Sequence, residues 1–277
     1  QAGGGATWEL EPFLTHPEWR DDSSVTLEPP STSYRKCYAA SGLWRVRRGR
    51  SSATVAEGMD SPFSLKHGEA ELSAVRVSST YFATGQFVGE QMEIDDDGAT
   101  TRLRHMGRNS AKFYPEGYDG PVYWLPIQDG TKVDKKNWAK VRARRDTFDL
   151  PAMQVVMEVR ETDPSAGEMA AFDLNLTSEG GVDGVPFQVV CAFEPGGILT
   201  TGSAHLQTPA GSSAVLREGE AVYRVGSDLI RLGPGACAHT MWHMHNSVDD
   251  PEHFRLLITL MSPVNYTLKI RTERFHA

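Results

Sequence analysis

Ala221-Val-Tyr-Arg-Val-Gly-Ser-Asp-Leu-Ile-Arg-Leu232 is the stretch that decides the fold class. Two short runs rich in Val, Tyr, Leu and Ile flank Gly226-Ser-Asp228, a turn signal, so the segment reads as two strands about a tight turn. The same texture extends outward in both directions. Upstream lie Ser51–Glu57, Glu71–Ser78, Phe87–Ile94, Thr100–His105, Met153–Glu161, Met169–Leu176, Phe187–Glu194 and Ala214–Arg217. Downstream lie Ala238–His245, Arg255–Met261 and Tyr266–Arg271. Turn signals such as Asp95-Asp-Asp-Gly98, Gly180-Gly181, Pro195-Gly-Gly197 and Gly233-Pro-Gly235 separate these runs. Within Glu71–Ser78 the alternation puts Leu72, Ala74 and the stem of Arg76 on one face. No helical stretches alternate with the strands, which argues against a parallel α/β sheet and for an antiparallel sandwich or barrel. The expected fold is all-β: a large antiparallel β-sandwich with little helix.

Composition narrows the functional classes. The 277 residues suffice for one large domain or two small ones, and 39% hydrophobic with 23% charged residues is an ordinary soluble balance. Acidic residues outnumber basic ones 36 to 28, for a net charge of −8, which argues against nucleic acid as a partner. No apolar run approaches the ~20 residues of a membrane-spanning helix, so no membrane partner is expected. Cys37, Cys191 and Cys237 are odd in number and form no CxxC, so they make no disulfide framework; one bridge plus a free thiol is the other arrangement they allow.

Residues 1–36 hold Trp8, Phe13 and Trp19 among Pro12, Pro17, Pro29 and Pro30 without a periodic core pattern. They are expected to be a linker segment that packs by its aromatics on a single antiparallel sandwich domain spanning 37–277. The chain opens at Gln1 rather than Met, as a processed product or fragment would. The compartment is left open between secreted, periplasmic and cytoplasmic.

The densest chemical feature is His239-Thr-Met-Trp-His243-Met-His245-Asn246. In an extended strand His239, Met241, His243 and His245 share one face, with His243 and His245 about 7 Å apart. Imidazoles at that spacing converge on one divalent metal, zinc or a similar ion, and His239 joins them across a bend. His205, Asp228, Glu252 and His253 are the candidates for a further ligand. The competing reading is that the histidines line a polar groove or pair with carboxylates. The preceding stretch, Gly226 to His239 with its Pro234 turn, resembles the second motif of the cupins over about 20 residues, although Ala236 replaces the expected glycine.

Two further clusters suit a sugar. Phe113-Tyr-Pro-Glu-Gly-Tyr118-Asp-Gly-Pro-Val-Tyr-Trp124 places rings and carboxylates on a Pro/Gly-rich loop. Ring faces stack on the C–H surface of a pyranose while carboxylates hold hydroxyls. Alternatively Tyr123 and Trp124 are core. Lys132, Lys135, Lys136, Lys140, Arg142, Arg144 and Arg145 crowd the next stretch. If extended, Lys140, Arg142 and Arg144 form a rail for carboxylates or sulfates, or else a solvated edge strand. There is no G-x-S-x-G elbow, no Walker loop and no H-E-x-x-H. Tyr81, Tyr114, His105 and Arg108 would make a Tyr/His/Arg lyase constellation if brought together.

Gly42-Leu-Trp-Arg-Val-Arg-Arg-Gly49, Phe63-Ser-Leu-Lys-His-Gly68, Val75-Arg-Val-Ser-Ser-Thr-Tyr-Phe82, Gly85-Gln-Phe87, Val182-Asp-Gly-Val-Pro186 and Phe193-Glu-Pro-Gly-Gly197 carry a wider resemblance. In style the chain resembles the β-sandwich half of toroid-plus-sheet carbohydrate-active proteins, the polysaccharide lyases and heparinase-like enzymes among them. The resemblance implies a supersandwich-like fold and a preceding α-helical domain or partner chain. It implies the sheet half of a polysaccharide lyase or glycoside hydrolase that recognises an acidic oligo- or polysaccharide. Tyr114, Tyr118 and Trp124 would then stack on sugars, and Lys140, Arg142 and Arg144 would hold anionic groups. A cupin-like metalloprotein using His239, His243 and His245, and a non-catalytic interaction module, are the competing expectations.

Overall fold

The computed structural model describes residues 32–81, 85–106, 122–124, 136–137, 147–149, 151–244 and 249–275. They form an all-β sandwich of two large, mainly antiparallel sheets. In spatial order the first sheet holds β1 (Ser33–Tyr38), β2 (Leu43–Arg48), β3 (Ser51–Ala56), β4 (Phe63–His67), β5 (Ala70–Ser79), β12 (Pro186–Phe193), β18 (Phe254–Met261) and β15 (Ser213–Val215). The second holds β14 (Ala204–Gln207), β13 (Ile198–Thr201), β16 (Ala221–Val225), β17 (Asp228–Gly233), β19 (Asn265–Arg274), β11 (Glu168–Gly180), β10 (Met153–Thr162), β7 (Thr100–Met106) and β6 (Glu90–Ile94). A small separate ladder pairs β8 (Val122–Trp124) with β9 (Thr147–Asp149). A single 3-10 turn, Ala39–Ser41, is the one helical element among the described residues. No helix among them is long and apolar enough to cross a membrane.

Alternation builds the core. In β3 and β10 every second residue is buried, so one face of each strand turns inward. Phe63 and Phe172 meet edge to face at 5.9 Å, and Phe193 and Tyr223 lie 4.6 Å apart, joining one sheet to the other. Each such ring contributes about 1.5–3 kcal/mol on burial. The sheets are also stapled by charge: Arg35 and Arg48 both donate to Glu161 of β10. Asn175 donates to Thr267 across the β11–β19 pair, a side-chain bond that adds to the ladder.

Two local readings are corrected. β5 carries an extra residue between Leu72 and Val75, seen as a register shift against both neighbours. Its inward face therefore changes phase: Leu72, Val75 and Val77 are core, while Arg76 and Ser78 turn outward. A uniform alternation had put Leu72 and Arg76 on one face. The second correction concerns Ala238–His245, which is no strand over its described part, 238–244. Ala236 to Ala238 make a short contact beside Thr259 of β18, and the chain then runs irregularly over the outer side of β12. Of the segment expected as a linker, residues 1–31 lie outside the described set, and β1 runs across position 36.

Candidate functional site

The outer face of the eight-stranded sheet carries a groove of about 170 Å³ where β5, β12, β18 and β15 lie side by side. Register alone assembles its floor. Arg76, Val190, Leu257 and Val215 form one cross-strand row, and Ser78 pairs with Gln188 in another. Arg255 sits opposite Ser213 of β15. One wall is the irregular segment from Ala236 to Met244, which brings Trp242 and His243 over the sheet. Gln188, itself buried, holds that wall by donating to the carbonyls of Met241 and Trp242 at 3.4 and 3.2 Å. Trp242 leaves 38% of its surface exposed, so a ring face remains available at the mouth of the groove.

The polar atoms of this groove are unbalanced in one direction. Arg76 Nε, Gln86 Nε2 and Arg255 Nε are buried N–H groups without a hydrogen-bond partner, and all three belong to side chains lining it. Unsatisfied buried donors are expensive, about 1–3 kcal/mol each, and sheets rarely gather three in one place. Arg255 has no carboxylate partner among the described residues, whereas Arg76 gives one arm to Asp250. Behind Arg76 runs a chain of contacts. Arg76 Nη1 is 2.7 Å from Asp250 Oδ2, Asp250 Oδ1 is 2.7 Å from His253 Nδ1, and His253 Nε2 is 3.2 Å from Glu194. Burial alone pushes the Asp250 carboxyl up, but the His253 and Arg76 contacts outweigh it and hold it below the ordinary carboxylate value. The groove thus offers donors and positive charge to whatever enters.

Of His239, His243 and His245, the first two lie among the described residues. His239 uses both ring nitrogens: Nε2 lies 2.9 Å from the Phe187 carbonyl, and Nδ1 accepts from the Met241 amide. His243 lines the groove, and His245 lies outside the described residues. Of the further ligand candidates, His253 belongs to the Asp250 chain, His205 sits on the other sheet and Asp228 is buried in a different network. Among the described residues no group of three His, Cys, Asp or Glu side chains is placed to hold a metal ion. Tyr114, Tyr118, Lys140, Arg142, Arg144 and Arg108 lie outside the described residues, and Trp124 is described by its backbone, which closes β8 opposite Thr147. Tyr81 is buried, with its hydroxyl donating to the Pro151 carbonyl, so it presents no surface to a substrate.

A Ser/His/Asp set does occur, and it is sealed. Ser51 Oγ is 2.8 Å from His67 Nδ1, and His67 Nε2 is 3.8 Å from Asp228 Oδ1. All three are at most 2% exposed, so no substrate reaches the serine. Thr272, Arg50 and the Glu69 amide complete the network, which ties β3 and β4 to β17 and β19 across the two sheets. Burial lowers the pKa of His67, partly opposed by Asp228, and the ring is neutral at pH 7.

Sequence reasoning missed Arg76, Gln86, Gln188 and Arg255 as site residues, since they sit singly in separate segments of the chain. An outward arginine in the middle of a strand was the one available signal. A search against protein-family models finds none that matches this chain, and no curated protein is significantly similar to it.

Proposed function

We propose that this chain is a carbohydrate-active β-sandwich that grips an acidic glycan in the arginine groove of its eight-stranded sheet. The observation that carries the reading is that two guanidinium groups, those of Arg76 and Arg255, line one groove, and Arg255 has no carboxylate partner among the described residues. A ligand that satisfies them brings acceptor oxygens and negative charge, as the carboxylate of a uronate does. Trp242 supplies an apolar ring at the mouth for the C–H face of a pyranose. The floor of Val190 and Leu257 keeps water from competing for the same donors. As the sheet half of a polysaccharide lyase or glycoside hydrolase, the groove would bind and orient the polymer. Tyr114, Tyr118 and Trp124 are proposed to stack on the sugars of the same polymer, and Lys140, Arg142 and Arg144 to hold its anionic groups.

The test is calorimetric titration with uronate oligosaccharides against neutral oligosaccharides of the same length. Saturable binding of the acidic ligand is expected, weakened at least tenfold in Arg255→Gln, a loss of about 1.4 kcal/mol or more. Equal binding of neutral and acidic oligosaccharides, or no effect of Arg255→Gln, would overturn the reading.

A further inference from the structure

The outer face of the nine-stranded sheet carries a second groove, of about 460 Å³, within the roughly 300–1,000 Å³ of small-molecule sites. Cross-strand pairing lays out its floor in two rows. Gln207, Ile198, Arg224 and Leu229 form one, and His205, Thr200 and Val222 form the other. Their chain neighbours Leu199, Ala221, Tyr223 and Ile230 are core, so these residues project outward. Phe275 closes one side; its amide donates to the Ser227 carbonyl at 2.7 Å, and its ring stays 49% exposed.

The chemistry of this trough differs from that of the arginine groove. Ile198, Val222 and Leu229 are the aliphatic part of the floor, which offers no hydrogen bond and accepts hydrocarbon. From between Ile198 and Leu229 in the first row, the Arg224 guanidinium reaches over the Phe275 ring, 5.5 Å from the centroid, and has no carboxylate partner among the described residues. Stacking of this kind orients the planar cation while leaving its N–H edge for a bidentate acceptor. The His205 ring is held by the Thr200 hydroxyl at 3.0 Å on the far side. One oriented cation beside aliphatic side chains matches an amphipathic anion.

We infer that this groove binds a small organic carboxylate with a flat apolar body. The carboxylate pairs with Arg224, and the body lies on Ile198, Val222 and Leu229 beside Phe275. The inference is independent of the glycan reading, since the two grooves belong to different sheets and share no residue.

The probe is trans-cinnamate, titrated into the methyl-labelled full chain, with cinnamyl alcohol and acetate as comparators. Cinnamate is expected to shift the methyl signals of Ile198, Val222 and Leu229 saturably and to leave those of Val190 and Leu257 unmoved. Either comparator, which lacks the charge or the ring, should bind at least tenfold more weakly. Arg224→Gln should lose at least tenfold in affinity, with the near-ultraviolet circular dichroism unchanged. Val222→Glu, which sets a negative charge on the floor and leaves Arg224 in place, should abolish binding. Shifts confined to Val190 and Leu257, equal binding of the alcohol, or an Arg224→Gln chain that binds as the parent does would each overturn the inference.

Discussion

Arg76 and Asp250, 174 residues apart in sequence, meet at 2.7 Å, and Asp250 passes the contact on to His253 at the same distance. Asp250 is buried and also accepts the His253 amide, so three donors depend on one carboxylate. Asp250→Ala should destabilise the fold by about 2–4 kcal/mol, because a half-buried guanidinium and an amide lose their acceptor. The folded-state pKa of Asp250 is depressed below the ordinary 3.8. Its contribution is therefore complete above that value and is lost as the pH falls through the folded value. Urea unfolding of parent and variant should show a gap at pH 7 that narrows towards pH 3; a constant gap would refute the assignment.

The sealed Ser51–His67–Asp228 network makes a second pH prediction. The folded-state pKa of His67 lies below the ordinary 6.5, first because of its burial. Above 6.5 the ring is neutral folded and unfolded alike, and the full stability is present. As the pH drops below 6.5 the unfolded chain takes up the proton first, and stability falls. His67→Gln should cost about 1–2 kcal/mol at pH 7 through lost hydrogen bonds and should flatten the stability curve between pH 7 and pH 5. If parent and variant keep parallel curves, another group carries that titration.

Gly68 follows His67 with φ of +56°, and a Cβ built there would fall on the carboxylate of Asp228 and the guanidinium of Arg50. Both backbone and space demand glycine at this position. Gly68→Ala should destabilise by more than about 2 kcal/mol, whereas Gly58→Ala, also at positive φ but with open space around it, should cost about 1–2 kcal/mol. Thermal unfolding of the pair separates strain from collision: equal losses would remove the steric part of the argument.

The three cysteines should divide by reactivity. Cys37 and Cys237 are exposed, while Cys191 is fully buried in β12, and burial pushes its thiol up to about 12. A thiol reagent at pH 8 should modify Cys37 and Cys237 in the native chain and Cys191 only after denaturant is added. Rapid native labelling of Cys191, located by peptide mass, would contradict the packing of the first sheet.

How far the sequence reaches depends on whether a feature is local. Runs such as Met153–Thr162 and Ala221–Val225 were legible because period-2 burial, β-branched and aromatic content and flanking Gly turns all act within a few residues. β1, Ser-Tyr-Arg-Lys-Cys-Tyr, and the wholly exposed β14, Ala-His-Leu-Gln, were passed over, because edge strands bury little and so carry no alternating pattern. The phase of β5 escaped for a related reason. One extra residue between Leu72 and Val75 reverses the faces, and only partner strands with a fixed register reveal it.

By itself, then, the sequence determined the class of this protein: turn-separated strands with too little helix for anything but packed antiparallel sheets. The sites were decided by tertiary structure. Arg76, Gln188, Ser213, Trp242 and Arg255 come from separate segments and become neighbours only because β5, β12, β18 and β15 pair in that order. Likewise Arg224 meets Phe275 through the pairing of β16, β17 and β19. The histidine stretch, read locally as a strand, is irregular over residues 238–244, where long-range contacts with Gln188, Phe187 and Thr259 that no spacing along the chain encodes hold it. Local propensity sets which residues extend; which side chains converge is set by register and sheet order, both of which are properties of pairs of strands.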